Sequence, residues 1–120
     1  MQESGEMYLE TILILKQRME TVRSIDIADY MKFSKPSVSR AVALLKSDGF
    51  ITVDSDGHIE LSEEGQRVAA KIYERHEVLT HMLLSLGVDS ENASRDACKM
   101  EHVISDKTFA AIKQYAGLGK

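Results

Sequence analysis

Residues 24–61, SIDIADYMKFSKPSVSRAVALLKSDGFITVDSDGHIEL, decide the fold of this chain. Ser24 is a suitable N-cap for a short helix over residues 25–31, which a tight turn follows. Ser34 caps a second helix, and Gly49 ends it, because glycine readily adopts the left-handed conformation that terminates helices. Two helices joined by so short a turn predict a helix-turn-helix unit.

A hairpin follows the second helix. Two strands are predicted over residues 50–53 and 58–61, on either side of the turn sequence Ser-Asp-Gly at 55–57. Upstream, residues 6–16 carry apolar side chains at helical spacing, which predicts a first helix. Helix, short helix, tight turn, helix and hairpin is the order of elements in a winged helix-turn-helix.

In a winged helix-turn-helix, the second helix of the pair enters the DNA major groove and the hairpin lies against the flanking backbone. Here Val38, Val42 and Leu45 form the apolar face of that helix and are predicted to face the core. Small hydroxyls suit bonds to phosphate, and an arginine can read a guanine edge or contact a phosphate. The residues that we predict to face DNA share the start of this helix: Lys35, Pro36, Ser37, Ser39 and Arg40.

The net charge of −4 argues against DNA binding, since duplex recognition requires a basic surface. The charges, however, are unevenly distributed. Four cations and no acid occur between Lys32 and Lys46, while acids concentrate near the N-terminus and around residues 60–64. One basic stripe on an otherwise acidic chain is compatible with DNA binding, although charge alone fits an ordinary solvated helix face equally well.

Composition indicates an ordinary soluble globular protein, with 43% hydrophobic and 28% charged residues in a chain of 120. No charged leader precedes an apolar run, and no apolar run is long enough to span a bilayer. The single cysteine, Cys98, cannot form an internal disulfide, which fits a reducing compartment. We therefore expect a cytoplasmic protein with no membrane partner.

The second half of the chain is predicted to be helical. A long helix opens at residues 62–64 and ends at Gly87. Another runs from a cap at residues 89–90 to about Val103, and Ser105 caps the last helix.

Ligand-type side chains recur in these helices. His76 lies where the apolar stripe of the long helix requires an apolar residue, which by itself is more typical of a hydrogen-bonded core histidine than of a metal ligand. Cys98, Glu101 and His102 are spaced i, i+3 and i+4, so in a helix the thiolate, carboxylate and imidazole share one face. Three ligand types on one face form a chelating half-site.

Met7 and Glu10 likewise share a face of the first helix, at i and i+3. Each of these residues also has a simpler interpretation: Met7 and Cys98 as core residues, and Glu10 as a solvated acid. The convergence of so many ligand types is harder to explain by packing.

The chain resembles the diphtheria toxin repressor family of iron- and manganese-dependent metalloregulators along nearly its whole length. The segments that carry the resemblance are EMYLETI at 6–12, KPSVSRAV at 35–42, RHE at 75–77 and CKMEHVISD at 98–106. The last is the most specific, because a cysteine or glutamate followed three residues later by Glu-His, and then by a capped helix, is close to a signature of the family.

Together with the order of elements, the resemblance implies a mainly α fold. Residues 1–61 would form a winged helix-turn-helix DNA-binding lobe, and residues 62–120 a helical metal-binding and dimerisation lobe. The resemblance is to the short form of the family, without the extra C-terminal domain of longer members. A homodimer is implied as well, since two half-sites of a palindromic operator need two reading heads.

The resemblance also implies a primary metal site formed by Met7, Cys98, Glu101 and His102. Glu10 and His76 match positions that hold a second metal in the manganese branch. The ligand set is a hybrid, because Met7 and Cys98 are as in the iron branch, whereas Glu10 is as in the manganese branch.

Ligand softness bears on the identity of the metal. A thioether and a thiolate favour Fe(II), Co(II), Ni(II) or Zn(II) over the harder Mn(II). We expect Fe(II) in the cell, although softness does not separate it from zinc, and we expect no organic cofactor.

These features predict a transcriptional repressor of metal-uptake genes, activated by metal, and not an enzyme. A metal shared by the first helix and the second-half ligands would fix that helix and the orientation of two reading heads. Two alternatives remain open. One is a winged-helix regulator that senses a non-metal ligand, with the Cys-Glu-His set merely structural. The other is a small metalloenzyme with Glu101 as a base, although the chain shows no nucleophile motif or phosphate-cradling loop.

Overall fold

The computed structural model describes residues 3–116, which contain six helices and two strands. In chain order these are α1 (Glu3–Arg18), α2 (Ser24–Met31), α3 (Lys35–Ser47), β1 (Ile51–Val53), β2 (Ile59–Leu61), α4 (Glu63–Ser85), α5 (Ser90–Met100) and α6 (Asp106–Tyr115). The predicted mainly α fold is confirmed. The chain forms two compact units, divided between Ala70 and Lys71 within α4, which we call unit 1 and unit 2. The assignment of DNA binding to residues 1–61 and of metal binding and dimerisation to residues 62–120 stays a prediction.

Unit 1 is built around one hydrophobic core. α1 contributes Ile12, α3 contributes Val38 and the hairpin contributes Ile59, all with no exposed surface. Burying an aliphatic side chain of this size contributes about 1.5–3 kcal/mol relative to leaving it exposed, so these contacts hold α1, α3 and the hairpin together. Val42 and Leu45 are buried as well, which confirms the predicted apolar face of α3.

Of the two N-caps predicted for the helix-turn-helix, the structure confirms one and contradicts the other. Ser34 caps α3 as predicted, since its hydroxyl accepts a hydrogen bond from the Ser37 N–H at 3.3 Å. The predicted cap of α2, Ser24, is wrong. The N-cap is Arg23, whose N–H donates to the Asp26 carboxylate at 2.8 Å. An acid at the third position of a helix can accept a hydrogen bond from the backbone N–H of the N-cap residue.

The hairpin is the wing of the predicted winged helix-turn-helix. β1 and β2 pair antiparallel, with Val53 opposite Ile59, and each strand is one residue shorter than predicted. In the turn, the Asp54 carboxylate accepts a hydrogen bond from the His58 N–H at 2.9 Å. Gly57 has a φ of 82°, a conformation that favours glycine and closes the turn.

The start of α4 packs closely against the segment that follows α3. The Ser62 hydroxyl donates to the Gly49 carbonyl at 2.7 Å and accepts from the Gly65 N–H at 3.1 Å. The Ser62 N–H donates to the Phe50 carbonyl at 3.0 Å. A Cβ atom on Gly65 would collide with that same carbonyl, so the close approach requires a residue without a side chain.

Unit 2 contains the end of α4 together with α5 and α6. Asp89 and Ser105 cap α5 and α6 as predicted, and each side chain accepts a hydrogen bond at 3.0 Å from the N–H three residues on. α5 ends at Met100, slightly before the predicted end near Val103. None of the described helices is both long enough and apolar enough to cross a membrane.

We expect Gly65→Ala to lower the free energy of unfolding by about 1–3 kcal/mol, because the new methyl group must displace the Phe50 carbonyl. Denaturant unfolding monitored by circular dichroism measures the change. Gln66→Ala, at the exposed neighbouring position of the same helix, is the control and should have little effect. A stability of Gly65→Ala equal to that of the control would contradict the close packing.

Candidate functional site

Glu101 is the central residue of the candidate metal centre in unit 2. Its side chain has no exposed surface, and it is the C-cap of α5. Nδ1 of His76, on α4, lies 3.0 Å from Oε2 of Glu101, and Nε2 of His102 lies 3.3 Å from Oε1. The structure therefore brings three of the predicted ligands together around one carboxylate.

The surroundings of Glu101 fit a divalent transition metal. Its Oε1 is buried and accepts no hydrogen bond from the described residues. A buried carboxylate oxygen is unfavourable unless a donor or a cation faces it. Imidazole suits Fe, Ni and Zn, and carboxylate also suits Mn, so the donors already assembled here match such an ion.

The other predicted ligands lie on α5 and α1. Cys98 is half-buried in the last turn of α5. Although that helix ends at Met100, Glu101 keeps helical backbone angles of −61° and −22°, so the predicted i, i+3 spacing from Cys98 is retained. On α1, in unit 1, Glu10 is buried and Met7 is half-buried. The participation of Cys98, Met7 and Glu10 in metal binding stays a prediction.

Sequence reasoning missed Arg75, which precedes His76 on α4 and is only 5% exposed. Its Nη1 donates to the carbonyl of Glu101 at 3.1 Å and to the carbonyl of Ile104 at 2.7 Å. Its Nη2 pairs with the carboxylate of Asp106. A buried guanidinium thus contacts the chain on both sides of His102.

Asp106 is held by two cations. Lys71 Nζ lies 3.0 Å from its carboxylate, which also pairs with Arg75. The hydrogen bond and positive charge of Lys71 lower the pKa of the Asp106 carboxyl, and Arg75 lowers it further. The carboxylate therefore remains ionised at neutral pH and continues to pair with Arg75.

The predicted DNA-binding residues occupy the first turns of α3. Four of them are exposed: Lys35, Pro36, Ser39 and Arg40. Ser37 is half-buried, and its hydroxyl accepts hydrogen bonds from the Ser34 hydroxyl at 2.8 Å and from Arg40 Nη2 at 3.4 Å. These bonds hold the Arg40 guanidinium close to the start of α3.

A pocket of about 290 Å³ lies between the first turns of α2 and α3. It is lined by Ser24, Ile25, Lys35 and Ser39. Helix N-termini carry unpaired N–H groups and the positive end of the helix dipole, and together with a lysine and hydroxyls they suit an anionic group such as phosphate. Sequence reasoning missed Ser24 as a lining residue of this pocket.

A second group that sequence reasoning missed connects the wing to the start of α2. Arg23 Nη2 lies 3.0 Å from His58 Nε2, and His58 Nδ1 lies 3.3 Å from the Asp54 carboxylate. Close by, the Ile59 N–H donates to the Val22 carbonyl at 2.7 Å. The hydrogen bond from the His58 N–H is the main cause of the lowered pKa of Asp54. The side chains and the backbone therefore both join the wing to Val22 and Arg23, directly before α2.

Asp54, Asp56 and His58 also have ligand-type atoms within 4.8 Å of one another. Both acids are exposed, and the Asp54 carboxylate already accepts two backbone hydrogen bonds, from the N–H groups of Asp56 and His58. The guanidinium of Arg23 beside His58 would repel a cation. We therefore interpret this group as a structured turn.

The contacts of His58 predict its tautomer. A guanidinium only donates hydrogen bonds, so Nε2 facing Arg23 must accept, and the proton of the neutral ring must be on Nδ1, facing Asp54. We expect long-range proton–nitrogen NMR spectra, at a pH where imidazole is neutral, to show the Nδ1–H form. In Arg23→Gln the Nε2–H form should gain population, with the exposed His81 as an unchanged internal reference. A predominant Nε2–H form in the wild type would contradict the contact.

Two family models match the chain. Residues 1–59 match the N-terminal DNA binding domain of iron dependent repressors. Residues 62–118 match the metal binding and dimerisation domain of iron dependent repressors. The first match covers the half of the chain that contains the wing, and the second covers the helical half that follows it.

Individual proteins show the same similarity. The iron-dependent repressor IdeR of Mycobacterium bovis is 33% identical over 105 residues, which cover 87% of this chain and 46% of the relative. The chain thus spans about half the length of that relative. The transcriptional regulator MntR of Escherichia coli is 33% identical over 108 residues, which cover 90% of this chain and 70% of the relative.

Among solved structures, the manganese regulator SloR superposes with a TM-score of 0.85 and 26% identity, over 95% of this chain and 54% of that one. The relatives are named as repressors and as a transcriptional regulator, which agrees with the prediction of a regulator and not an enzyme. Their identity and coverage, with the two matching models, establish that the chain belongs to the iron-dependent repressor family, as the diphtheria toxin repressor does.

Proposed function

We propose that this protein is a DNA-binding transcriptional regulator that represses metal-uptake genes when a divalent transition metal is bound. The observation that carries the proposal is the buried carboxylate of Glu101, which faces the imidazoles of His76 and His102. One oxygen of that carboxylate accepts no hydrogen bond from the described residues, so the position suits a cation. Membership of the iron-dependent repressor family supports the same function.

Glu101 and His102 would hold the metal from the end of α5, with Cys98 one helical turn earlier. We include Met7 as a further ligand because its sequence segment resembles that of the family. For the same reason, Glu10 and His76 are proposed as ligands of a second metal. When bound, the ion would supply positive charge and a centre around which these side chains become ordered.

The chemistry of the ligands favours Fe(II). A thioether and a thiolate are softer than the carboxylates that Mn(II) prefers, and they would also accept Zn(II), Co(II) or Ni(II). The names of two similar proteins refer to different metals, iron for the Mycobacterium bovis repressor and manganese for SloR. The identity of the activating metal is therefore tested by comparing several metals in the DNA-binding experiment.

Unit 1 would supply the surface that reads DNA. Lys35, Ser39 and Arg40 are exposed on α3, the helix that enters the major groove in winged helix-turn-helix proteins. The pocket beside Ser24 suits a backbone phosphate, and the wing would lie along the flanking strand. A palindromic operator would be read by a homodimer, which the description of the second family model, a dimerisation domain, supports.

Metal and DNA binding would be coupled through α1. Met7 and Glu10 belong to this helix, and its Ile12 packs in the same core as Val38 of α3. A ligand set that includes α1 residues would therefore make the placement of the reading helix depend on metal occupancy. Coupling of this kind typically amounts to about 1–3 kcal/mol, or roughly 5- to 150-fold in affinity, and it acts equally in both directions.

The test is the affinity for a palindromic duplex, recovered by selection from a random pool, measured anaerobically with Fe(II), Mn(II), Zn(II) or a chelator. We expect the wild type to bind at least about 10-fold more tightly with Fe(II) than with the chelator. Cys98→Ala should lose most of this difference. A loss in Glu10→Ala would indicate that the second metal position is also used.

Glu77→Ala is the matched control, because Glu77 is an exposed acid next to His76 and outside the proposed ligand set. It should respond to Fe(II) like the wild type. If every protein bound DNA equally with metal and with chelator, the metal switch would be excluded, and a regulator that senses another ligand would be favoured. An absence of DNA binding in all conditions would contradict the proposal as a whole.

A further inference from the structure

Arg75 is a buried cation beside the metal centre, and the proposed ligand set does not include it. The side chain is only 5% exposed. Its guanidinium lies 5.3 Å from the centre of the Phe109 ring, within the range of a cation–π contact. A long charged side chain is rarely buried in this way unless other groups compensate its charge, so the partners of Arg75 indicate its role.

The guanidinium of Arg75 donates its hydrogen bonds to residues 101–106. Nη1 donates to the carbonyls of Glu101 and Ile104, at 3.1 Å and 2.7 Å, and Nη2 pairs with the Asp106 carboxylate. The carbonyls at the end of a helix have no partner within the helix and need donors from elsewhere. Arg75 supplies such a donor to Glu101 and also binds the chain beyond His102, at Ile104 and Asp106, so it fixes the turn that carries two of the proposed ligands.

The same helix also contacts the Glu101 side chain. His76 follows Arg75 on α4, and its Nδ1 lies 3.0 Å from Glu101 Oε2. Adjacent residues of one helix therefore fix the backbone and the carboxylate of Glu101 separately. This arrangement limits both the position and the rotation of the ligand before any metal arrives.

We propose that Arg75 is a positioning residue of the metal centre, which preorganises Glu101 and His102 and thereby increases metal affinity. The inference rests on the proposed function, since it concerns the same site. Without the guanidinium, the turn after α5 would have to be ordered at the moment of binding, which reduces affinity. Lysine keeps the charge but not the planar fork of donors, so it would not hold both carbonyls and Asp106 together.

The experiment is an anaerobic titration of Arg75→Lys with Co(II), followed by the visible absorption bands that report the ligand field. We expect the Co(II) dissociation constant to rise by about 10- to 100-fold, as is typical when a residue that orients metal ligands is lost. The absorption bands should also change in position or intensity. Circular dichroism at the titration temperature verifies that each protein is folded.

Ile72→Val controls for stability alone, because it removes one buried methyl group from α4, one turn before Arg75, and no hydrogen-bond donor. It should lower the melting temperature of the metal-free protein while leaving the Co(II) affinity and spectrum unchanged. If Arg75→Lys does not fold, Asp106→Asn replaces it. That exposed substitution removes the negative charge that pairs with Arg75 and should weaken Co(II) binding in the same direction, by a smaller factor.

The outcomes distinguish the proposed metal site from the positioning role of Arg75. A wild type that binds no Co(II) would contradict the proposed metal site itself. A wild type that binds Co(II), with an unchanged affinity and spectrum in the Arg75 or Asp106 variant, would overturn the positioning role. The role would also be overturned if the affinity fell equally in Ile72→Val, since the effect would then follow from stability.

Discussion

The structure of unit 2 depends on how the buried carboxylate of Glu101 is compensated. A charge removed from water is unfavourable by several kcal/mol unless cations or donors surround it. Here the imidazoles of His76 and His102 face its two oxygens, at 3.0 Å and 3.3 Å, and Arg75 binds its backbone carbonyl. One oxygen nevertheless accepts no hydrogen bond from the described residues. The side chains thus compensate the carboxylate incompletely, and a divalent cation would complete the compensation.

This arrangement gives a physical reason for the proposed metal-dependent switch in an acidic protein. The net charge of −4 disfavours DNA, while the cations that would contact DNA are concentrated on α3, with Lys35 and Arg40 exposed. Bound metal would neutralise ligand carboxylates and thus reduce the repulsion of phosphate. It would also order its ligands, and the proposed ligands on α1 belong to a helix that shares a core with α3. Charge and placement would therefore change together on metal binding.

The sequence was sufficient for the order of elements and for several of their ends, because these depend on local chemistry. The caps Ser34, Asp89 and Ser105 and the left-handed Gly57 all act within a few residues of their own position. The apolar stripe of α4 also marked His76 as an exception. Ser24 is an exception, because the Asp26 carboxylate accepts from the Arg23 N–H and the helix begins at Ser24 itself, one residue before the predicted start. Arg75 and the Arg23–His58 contact join segments 26–35 residues apart, and only the folded chain brings such groups together. On a helical wheel Arg75 lies three residues after the buried Ile72, although the same spacing is normal for an arginine at the edge of a buried face.

If metal binding and DNA binding are coupled, each must strengthen the other by the same factor. The affinity of the wild type for Fe(II) should be measured anaerobically by competition with a metal indicator, with and without a saturating palindromic duplex. If the duplex binds the metal-loaded protein more tightly by some factor, it must tighten Fe(II) binding by the same factor, within the roughly 5- to 150-fold range usual for such coupling. An Fe(II) affinity that is identical with and without the duplex would show instead that metal and DNA bind independently, which excludes the proposed switch.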